Sequence, residues 1–282
     1  IGIQLIKLLV KHKYINIKYL CGNSSVGKNI SNYDKSLIRK KLPTIIKFDK
    51  KLLKDVDIVF TALPNGEAQD ISKHLTKNIT LIDLAADFRL EKGSEYLKWY
   101  KQKHRAANLI KKSLYSLPEI NGHKLSKYQI ISCPGCYPTA SLSLLIPFLK
   151  QGLIESEGII IDAKSGTSGG GRNPSGQLLL SECSESIRPY GVIGHRHTAE
   201  IERIASHFAG HEVNLQFTPH LVPMVRGILS TVYARLRDPG LTAEDCKIVI
   251  EAFYKDQPFI DILPVGTYPA TKWVKNTNKV MI

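Results

Sequence analysis

One cysteine in this chain lies where backbone geometry favours a reactive thiolate. Residues 128–131, Tyr-Gln-Ile-Ile, predict a strand, and the spacing of Leu142 and Leu145 predicts a helix with one apolar face. Cys136 lies between these two elements and is therefore expected at or just before a helix N-terminus. Unpaired N–H groups and the helix dipole stabilise negative charge there, which lowers the pKa of a thiol. We expect Cys136 to be a nucleophile.

Two other interpretations of this cysteine stay open. Cys133 and Cys136 form a C-x-x-C pair, which is typical of redox proteins and of half a zinc site. Zinc would need two further ligands, and the sequence contains no second C-x-x-C. The remaining cysteines are isolated: Cys21, Cys183 and Cys246. The third interpretation is that both members of the pair are buried structural residues.

A second reactive group follows later in the chain. His195, Arg196 and His197 bring two imidazoles and a guanidinium to the start of a predicted helix. A nucleophilic cysteine combined with a histidine is the pattern of covalent acyl chemistry. A His-x-His pair also binds metals, but no third histidine or carboxylate is evidently placed to complete such a site. We therefore expect no metal site.

Arginines near turns are the candidates for binding an anionic substrate. Arg89, Arg172 and Arg226 each lie beside glycine, aromatic or turn residues rather than on a charged helical face, although each also suits a plain surface role. Residues 165–174, Ser-Gly-Thr-Ser-Gly-Gly-Gly-Arg-Asn-Pro, form either a flexible linker or an anion-binding loop of backbone N–H groups.

The first half of the chain predicts the sheet that positions these groups. A helix over residues 2–12, a strand over residues 15–21 and a polar turn over residues 22–28 are typical of the second half of a mononucleotide-binding unit. Further strands at residues 55–62 and 79–84 alternate with helical patterns. This alternation predicts a parallel, doubly wound α/β sheet.

The polar turn after the first predicted strand indicates the cofactor. An NAD-binding protein usually carries Asp or Glu there, which holds the ribose 2′-OH. Here Asn23, Ser24 and Ser25 offer neutral donors and Lys28 offers a cation, which suits a 2′-phosphate. The turn favours NADP, with an ordinary polar loop as the alternative.

The second half of the chain has a different pattern of predicted strands and helices. It predicts strands at residues 158–164 and 213–218 and a long alternating strand at residues 226–236. Residues 242–245 have the pattern of a helix capping box. This half predicts an antiparallel or mixed α+β domain. We place the two domains at residues 1–135, for the cofactor, and 136–282, for catalysis and oligomerisation.

Composition limits the class of protein. The chain has 282 residues, enough for two domains, and no apolar run approaches the roughly 18 residues of a membrane span. Its net charge is +14, but the lysines are scattered and match no recognition-helix, zinc-finger or RNA-binding signature. We expect no nucleic-acid or membrane partner; a basic nucleic-acid-binding protein with an incidental cysteine is the alternative class. The five cysteines are unevenly spread, which suits the cytoplasm.

Together these features predict one reaction. A thiolate attacks an activated acyl group, the leaving group departs, and a nicotinamide cofactor reduces the resulting thioester, while a histidine moves the proton. The substrate is then a small acyl compound with a good leaving group.

Seven sequence blocks carry a family resemblance. They are residues 60–66 (FTALPNG), 83–89 (DLAADFR), 115–119 (YSLPE), 134–139 (PGCYPT), 165–169 (SGTSG), 194–197 (GHRH) and 217–227 (FTPHLVPMVRG). On these blocks the chain resembles, nearly end to end, the N-acetyl-gamma-glutamyl-phosphate reductases of the semialdehyde dehydrogenase family. The PGCYPT and GHRH blocks are the most specific. A close second resemblance is to aspartate-semialdehyde dehydrogenase, against which the GHRH block argues.

The resemblance implies a Rossmann-like domain, a second α+β domain whose sheet helps to form a homodimer or homotetramer, and a place in arginine biosynthesis. It implies NADPH-dependent reduction of N-acetyl-L-glutamyl 5-phosphate, an acyl phosphate, to the 5-semialdehyde. The expected catalytic residues are the nucleophile Cys136, the acid/base His197 with His195 close behind, and Glu200, which would orient the histidine. The expected cofactor contacts are Gly2, Asn23, Ser24, Ser25, Lys28, Leu63, Pro64, Ser168 and Gly169. The expected substrate contacts are Arg89, Arg172, Arg196 and Arg226.

The chain also departs from this family. The family begins with a strand and a glycine-rich loop, of which only Ile1-Gly2 resembles the tail, so we expect the first strand to be missing and the chain to be truncated at both ends. A fragment that keeps the fold without the cofactor is therefore a further alternative. Cys133 stands where the family usually has Asn, which suggests a Cys133–Cys136 disulfide that would block the nucleophile.

Overall fold

The computed structural model describes residues 1–171 and 175–282 and divides into two compact units. Unit 1 comprises Ile1–Leu97, Gln102–Tyr115 and Lys124–Cys133. Unit 2 comprises Lys98–Lys101, Ser116–His123 and Pro134–Ile282. Each unit has its own sheets and its own buried side chains.

The regular elements follow in chain order. The helices are α1 (Gly2–Leu9), α2 (Glu67–Ser72), α3 (Gly93–Tyr100), α4 (Ala107–Ile110), α5 (Pro118–Asn121), α6 (Cys136–Lys150), α7 (Leu180–Cys183), α8 (Arg196–Ala209), α9 (Ala243–Phe253) and α10 (Thr271–Val274). The strands are β1 (Leu20–Cys21), β2 (Ile45–Ile46), β3 (Ile58–Thr61), β4 (Thr80–Asp83), β5 (Ser113–Tyr115), β6 (Ile130–Ser132), β7 (Ile159–Ser165), β8 (Arg188–Pro189), β9 (Leu215–Leu221), β10 (Ile228–Tyr233), β11 (Ile260–Asp261) and β12 (Val280–Met281).

Unit 1 contains two parallel sheets. Four strands pair in the order β3-β4-β6-β5, and β1 pairs with β2. Leu81 and Ile130 are fully buried in the larger sheet and pack with Phe88 and Ile110, which are also buried. Each such apolar side chain contributes about 1.5–3 kcal/mol through burial. The predicted parallel α/β architecture is confirmed.

One predicted strand is shorter than expected. The apolar alternation predicts a strand over residues 15–21, but only Leu20–Cys21 are assigned to β1. Their partner strand offers just two residues, Ile45–Ile46, and a strand extends only as far as its backbone pairing.

Unit 2 contains the predicted mixed sheet. Its four main strands lie in the order β10-β7-β9-β8, with β7 parallel to β9 and antiparallel to β10. Along β7 the residues alternate between buried Ile159, Ile161 and Ala163 and more accessible Ile160 and Asp162. One face of the sheet is therefore buried, and α6 packs against β10, α8 and α9.

Local sequence signals account for several helix ends in unit 2. Thr242 and Asp245 form the predicted capping box at the start of α9, with each side chain bonded to the other residue's backbone. The helix α8 ends at Gly210, whose φ of 76° suits glycine. None of the helices among the described residues has the length and apolar character needed to traverse a lipid bilayer.

Candidate active site

The predicted nucleophile opens a long helix. Cys136 is the first residue of α6 and its side chain is exposed, while Gly135 is the N-cap and has no side chain to cap the first turn. The N-terminal N–H groups of α6 therefore lie beside the thiol without a side-chain acceptor from the N-cap. This is the strand-turn-helix placement that the sequence predicts for a nucleophilic cysteine.

A buried carboxylate holds the turn that precedes Cys136. The Gly135 N–H donates to Oε1 of Glu200 at 2.7 Å, and Glu200 is fully buried in α8. A hydrogen bond from an N–H to a carboxylate is roughly twice as strong as one between neutral groups. Glu200 therefore holds the backbone at residues 134–136, which we call the cysteine turn. The sequence predicts that Glu200 orients the histidine, and it does not predict this contact.

His197 packs on the same turn. A Cβ atom built at Gly135 would lie 2.8 Å from Cε1 and 2.9 Å from Cδ2 of His197, and closer still to Nε2. His197 and Glu200 are three residues apart on α8, so both side chains lie on one face of that helix. The geometry brings the imidazole, the carboxylate and the cysteine turn together within unit 2.

His195 has a different environment from His197. It is the N-cap of α8, and its Nδ1 accepts a hydrogen bond from the His197 N–H at 3.1 Å. Burial, and next the neighbouring Arg196 guanidinium, lower the pKa of His195 to about 4. At neutral pH the ring is uncharged, and because Nδ1 is the acceptor its proton lies on Nε2.

Aromatic rings surround both histidines. Tyr137 is almost fully buried, and its ring centroid lies 5.8 Å from that of His195, 5.9 Å from that of His197 and 5.2 Å from that of Phe217. The Tyr190 hydroxyl donates to the Tyr137 hydroxyl at 2.9 Å. Burial raises the pKa of both tyrosines, so both stay neutral. Tyr137 and Phe217 therefore restrict the orientations of the two imidazoles.

The four predicted arginines have different surroundings. Arg196 is exposed and lies 5.2 Å above the ring of Tyr100, and Arg226 is exposed. Arg89 is buried in unit 1, where its Nε donates to the Cys133 carbonyl at 2.8 Å and its Nη2 to the Leu84 carbonyl at 3.3 Å. Arg172 lies outside the described residues. Among the predicted arginines that the structure describes, Arg196 and Arg226 are the two at the surface of unit 2.

Four N–H groups in the described part of the glycine-rich loop are already paired within the protein. The N–H groups of Gly166, Thr167 and Ser168 donate to the carbonyls of residues 227, 224 and 225, and that of Gly169 donates within the loop. The prediction of a backbone anion site is therefore wrong for these residues, because carbonyls of the segment that precedes β10, and of the loop itself, already accept these hydrogen bonds. Ser168 and Gly169 are exposed, so the Ser168 side chain and the surface of Gly169 remain accessible to a ligand.

Several predicted cofactor residues meet at one cavity in unit 1. Gly2, Asn23 and Leu63 line a cavity of about 870 Å³ beside the ends of β1 and β3. Ser24, Ser25 and Lys28 follow in the turn after β1, and Pro64 follows Leu63. The cavity adjoins the first turn of α1, which has no side-chain cap. Uncapped helical N–H groups beside the cavity and a lysine in the adjacent turn fit a nicotinamide nucleotide.

A set of residues that the sequence analysis overlooked fixes the turn after Leu63. The Gly66 N–H donates to Oδ1 of buried Asp87 at 2.6 Å, Arg105 Nη2 donates to the Gly66 carbonyl at 2.6 Å, and Gln102 Nε2 donates to the Asn65 carbonyl at 3.2 Å. Asp87 lies inside block 83–89, one of the blocks that carry the family resemblance, and that block was its signal in the sequence. Gln102 and Arg105 belong to a charged stretch with no distinguishing pattern.

Both cysteines of the C-x-x-C pair are thiols, so no disulfide joins Cys133 to Cys136 here. Burial, and next the charge of Asp83, raise the pKa of Cys133 to about 11. Asp83 itself is fully buried and accepts a hydrogen bond from Thr61 Oγ1 at 2.7 Å, and burial raises its pKa to about 6. A thiol that stays protonated is a poor attacking group in disulfide exchange.

Comparison with known proteins covers both halves of the chain. The family profile described as the semialdehyde dehydrogenase NAD binding domain matches residues 1–128, and the one described as the semialdehyde dehydrogenase dimerisation domain matches residues 136–282. A Prochlorococcus marinus (strain NATL2A) protein named N-acetyl-gamma-glutamyl-phosphate reductase is 66% identical over 290 residues, which cover 100% of this chain and 80% of the relative. A Synechococcus sp. (strain CC9605) protein of the same name is 49% identical over 288 residues, covering 100% and 81%.

Solved structures share the fold at low identity. Aspartate semialdehyde dehydrogenase with NADP from Candida albicans aligns with a TM-score of 0.66 and 17% identity, covering 97% of this chain and 82% of that one. Aspartate semialdehyde dehydrogenase from Francisella tularensis aligns with a TM-score of 0.66 and 13% identity, covering 99% and 85%.

Proposed function

The chain belongs to the N-acetyl-gamma-glutamyl-phosphate reductases of the semialdehyde dehydrogenase family, and from that membership we propose its reaction. The enzyme reduces N-acetyl-L-glutamyl 5-phosphate to N-acetyl-L-glutamate 5-semialdehyde with NADPH and releases phosphate, as a step of arginine biosynthesis. The observation that carries this proposal is the placement of exposed Cys136 at the first residue of α6, with His197 against the preceding glycine.

In this proposal Cys136 forms the covalent intermediate. Its thiolate attacks the acyl carbon, the bond between that carbon and the phosphate oxygen breaks, and phosphate leaves with the electron pair. A thioester on Cys136 results. The nicotinamide, when bound, supplies the hydride that reduces this thioester. Collapse of the resulting thiohemiacetal releases the aldehyde and restores the thiolate.

We assign the proton transfers to His197 rather than to His195. The depressed pKa and the committed Nδ1 of His195 leave it neutral and fixed as the cap of α8. His197 lies against the turn that carries the nucleophile, where an imidazole is suited to take the thiol proton and to protonate the thiohemiacetal oxygen. Glu200 holds the cysteine turn through the Gly135 N–H.

The remaining assignments follow the same proposal. NADP is the cofactor, with its 2′-phosphate on Asn23, Ser24, Ser25 and Lys28. Gly2, Leu63, Pro64, Ser168 and Gly169 are the further cofactor contacts. Arg196 and Arg226, with Arg89 and Arg172, bind the substrate carboxylate and phosphate. We place the domain boundary between residues 135 and 136, close to Pro134, where the last segment of unit 2 begins. We propose that the enzyme is a homodimer or homotetramer that works in the cytoplasm, where its five thiols stay reduced.

The decisive experiment runs the reaction backwards. We expect phosphate-dependent reduction of NADP in the presence of N-acetyl-L-glutamate 5-semialdehyde, and we expect Cys136→Ser to abolish it while Cys133→Ser keeps it. If Cys133→Ser lost activity while Cys136→Ser kept it, Cys133 would be the nucleophile and the assignment to Cys136 would be rejected.

The same assay tests the substrate. Faster turnover of aspartate semialdehyde than of the N-acetylated substrate would replace the proposed substrate by the shorter one. NAD in place of NADP measures the cofactor preference, which Lys28→Ala should weaken.

A further inference from the structure

The glycine before the nucleophile is not required by its own backbone. Gly135 has φ of −67° and ψ of 163°, an extended conformation that any residue adopts. Its N–H donates to Glu200, and a side chain at this position would leave that hydrogen bond unchanged. A reason for glycine at residue 135 must therefore come from the space around its Cα atom.

The imidazole of His197 occupies that space. The nearest three atoms to a Cβ at residue 135 all belong to the His197 ring, and all lie closer than 3.0 Å, a separation that real Cβ contacts essentially never show. His197 has little freedom to retreat, because the ring of Tyr137 flanks it at 5.9 Å and the His195 ring flanks it at 4.8 Å. A methyl group at residue 135 would therefore displace the imidazole from the cysteine turn.

We propose that Gly135 is a positioning residue of this reaction: its lack of a side chain lets the His197 imidazole lie against the turn that carries Cys136. This inference rests on the proposed function, in which His197 moves the proton and Cys136 is the nucleophile. Gly135 touches neither substrate nor cofactor, and it acts only through His197. Glycine at this position is then required by the neighbouring imidazole and not by its own backbone conformation.

The first test is Gly135→Ala, with Gly176→Ala as its matched control. A Cβ at Gly176 meets no atom within 4 Å and its φ is not in the left-handed region, so this control adds the same methyl group without a clash. We expect Gly135→Ala to lower kcat by about 100-fold or more, the contribution typical of a positioned acid/base group, with the KM for NADP unchanged. The pH–rate limb that the imidazole sets should flatten. Wild-type kinetics in Gly135→Ala would overturn the proposal.

A double-mutant cycle with His197→Ala separates positioning from a general structural defect. If residue 135 acts through the imidazole, Gly135→Ala should cause no further loss of kcat in the His197→Ala background. The double variant should also recover the melting temperature that Gly135→Ala alone loses, because His197→Ala removes the ring that the new methyl group meets. An equal loss of kcat in both backgrounds would show that residue 135 acts independently of His197 and would reject the inference.

The rate of Cys136 alkylation by iodoacetamide, measured against pH, keeps the two proposals distinguishable. If wild-type protein shows no NADP-dependent activity, the proposed function fails. The alkylation profile still reports on the imidazole beside the thiol, because a displaced or removed His197 should change its apparent pKa to the same extent in Gly135→Ala and His197→Ala. If the profile of Gly135→Ala matched wild type while that of His197→Ala differed from it, the positioning role would be rejected, whether or not the proposed function holds.

Discussion

Two glycine turns, one in each unit, use the same device in different ways. The Gly66 N–H, at the start of α2, donates to the buried carboxylate of Asp87 at 2.6 Å, and the Gly135 N–H, at the start of α6, donates to the buried carboxylate of Glu200 at 2.7 Å. Gly66 has φ of 97° and so requires glycine for its backbone, whereas Gly135 has an ordinary extended backbone. Gly66 is required by its left-handed backbone conformation, whereas Gly135 is required by the space that the His197 side chain occupies.

The partners of the two carboxylates sharpen this difference. Asp87 accepts hydrogen bonds from the N–H groups of Gly66 and Ala68, from Gln69 Nε2 and from the Tyr96 hydroxyl. It therefore ties the turn to the rest of unit 1. Glu200 ties the cysteine turn to the helix that carries His197. Changes at the first turn should appear mainly in stability, and changes at the second mainly in catalysis.

The largest effect on stability is expected from Asp87→Ala. This change leaves several buried donors without an acceptor, each of which costs 1–3 kcal/mol, so we expect a loss on the order of 4 kcal/mol in the free energy of unfolding. Asp70→Ala is the control, because exposed Asp70 also binds Arg105 but its ion pairs contribute only about 0–1 kcal/mol. Urea denaturation measures both. Equal losses in the two variants would contradict a special role for the buried carboxylate.

The next effect is expected from Gly66→Ala. The left-handed backbone costs a non-glycine residue about 1–2 kcal/mol, and the new Cβ would lie 3.0 Å from Arg105 Nη2 and 3.0 Å from Gln102 Oε1, so we expect a total loss of about 3 kcal/mol. Gly27→Ala isolates the backbone part, because Gly27 has φ of 80° and no atom within 4 Å of its Cβ position. A difference of zero between the two variants would show that the crowding at Gly66 contributes nothing.

Glu200→Gln is expected to lower stability less than the two preceding changes and to act mainly on catalysis. The amide oxygen still accepts the Gly135 N–H, so the fold should survive with a loss of about 1 kcal/mol, the difference between a charged and a neutral acceptor. The turn becomes less firmly held, and we expect kcat to fall by about tenfold while the KM for NADP stays constant. A large fall in the melting temperature with normal kcat would reverse the contrast between the two turns.

The pH dependence of stability should also have opposite signs in the two units. The pKa of Asp83 in unit 1 is raised to about 6, so the folded state binds its proton more tightly than the unfolded state, and stability falls as pH rises from about 4 to 6. The pKa of His195 in unit 2 is lowered to about 4, so the unfolded state binds the proton more tightly, and stability falls as pH drops from about 6.5 to 4.

Two variants test these signs. Relative to wild type, Asp83→Asn should gain stability as pH rises through this window, and His195→Asn, which keeps an N-cap acceptor, should gain stability as pH falls through it. Thermal melts at closely spaced pH values are the measurement. A pH-independent difference between Asp83→Asn and wild type would mean that this carboxyl titrates normally in the folded protein.

The sequence by itself determined the architecture and the identity of the family. Strand and helix periodicities are local, so the parallel sheet of unit 1 and the mixed sheet of unit 2 follow from residues close together in the chain. The family blocks are also local: residues 134–139 and 194–197 predict the resemblance that the comparisons confirm. Capping at Thr242 was predictable for the same reason, because both partners lie within one helical turn.

Tertiary structure decided which groups meet and which donors remain. The steric need for glycine at residue 135 arises from His197, and the clamp on the Gly66 turn arises from Gln102 and Arg105, far along the chain in both cases. The loop at residues 166–169 has the composition of an anion site, yet its N–H groups donate to protein carbonyls. The composition of a loop shows how many backbone N–H donors it contains. Only the long-range pairing of the backbone determines whether those donors are still available to a ligand.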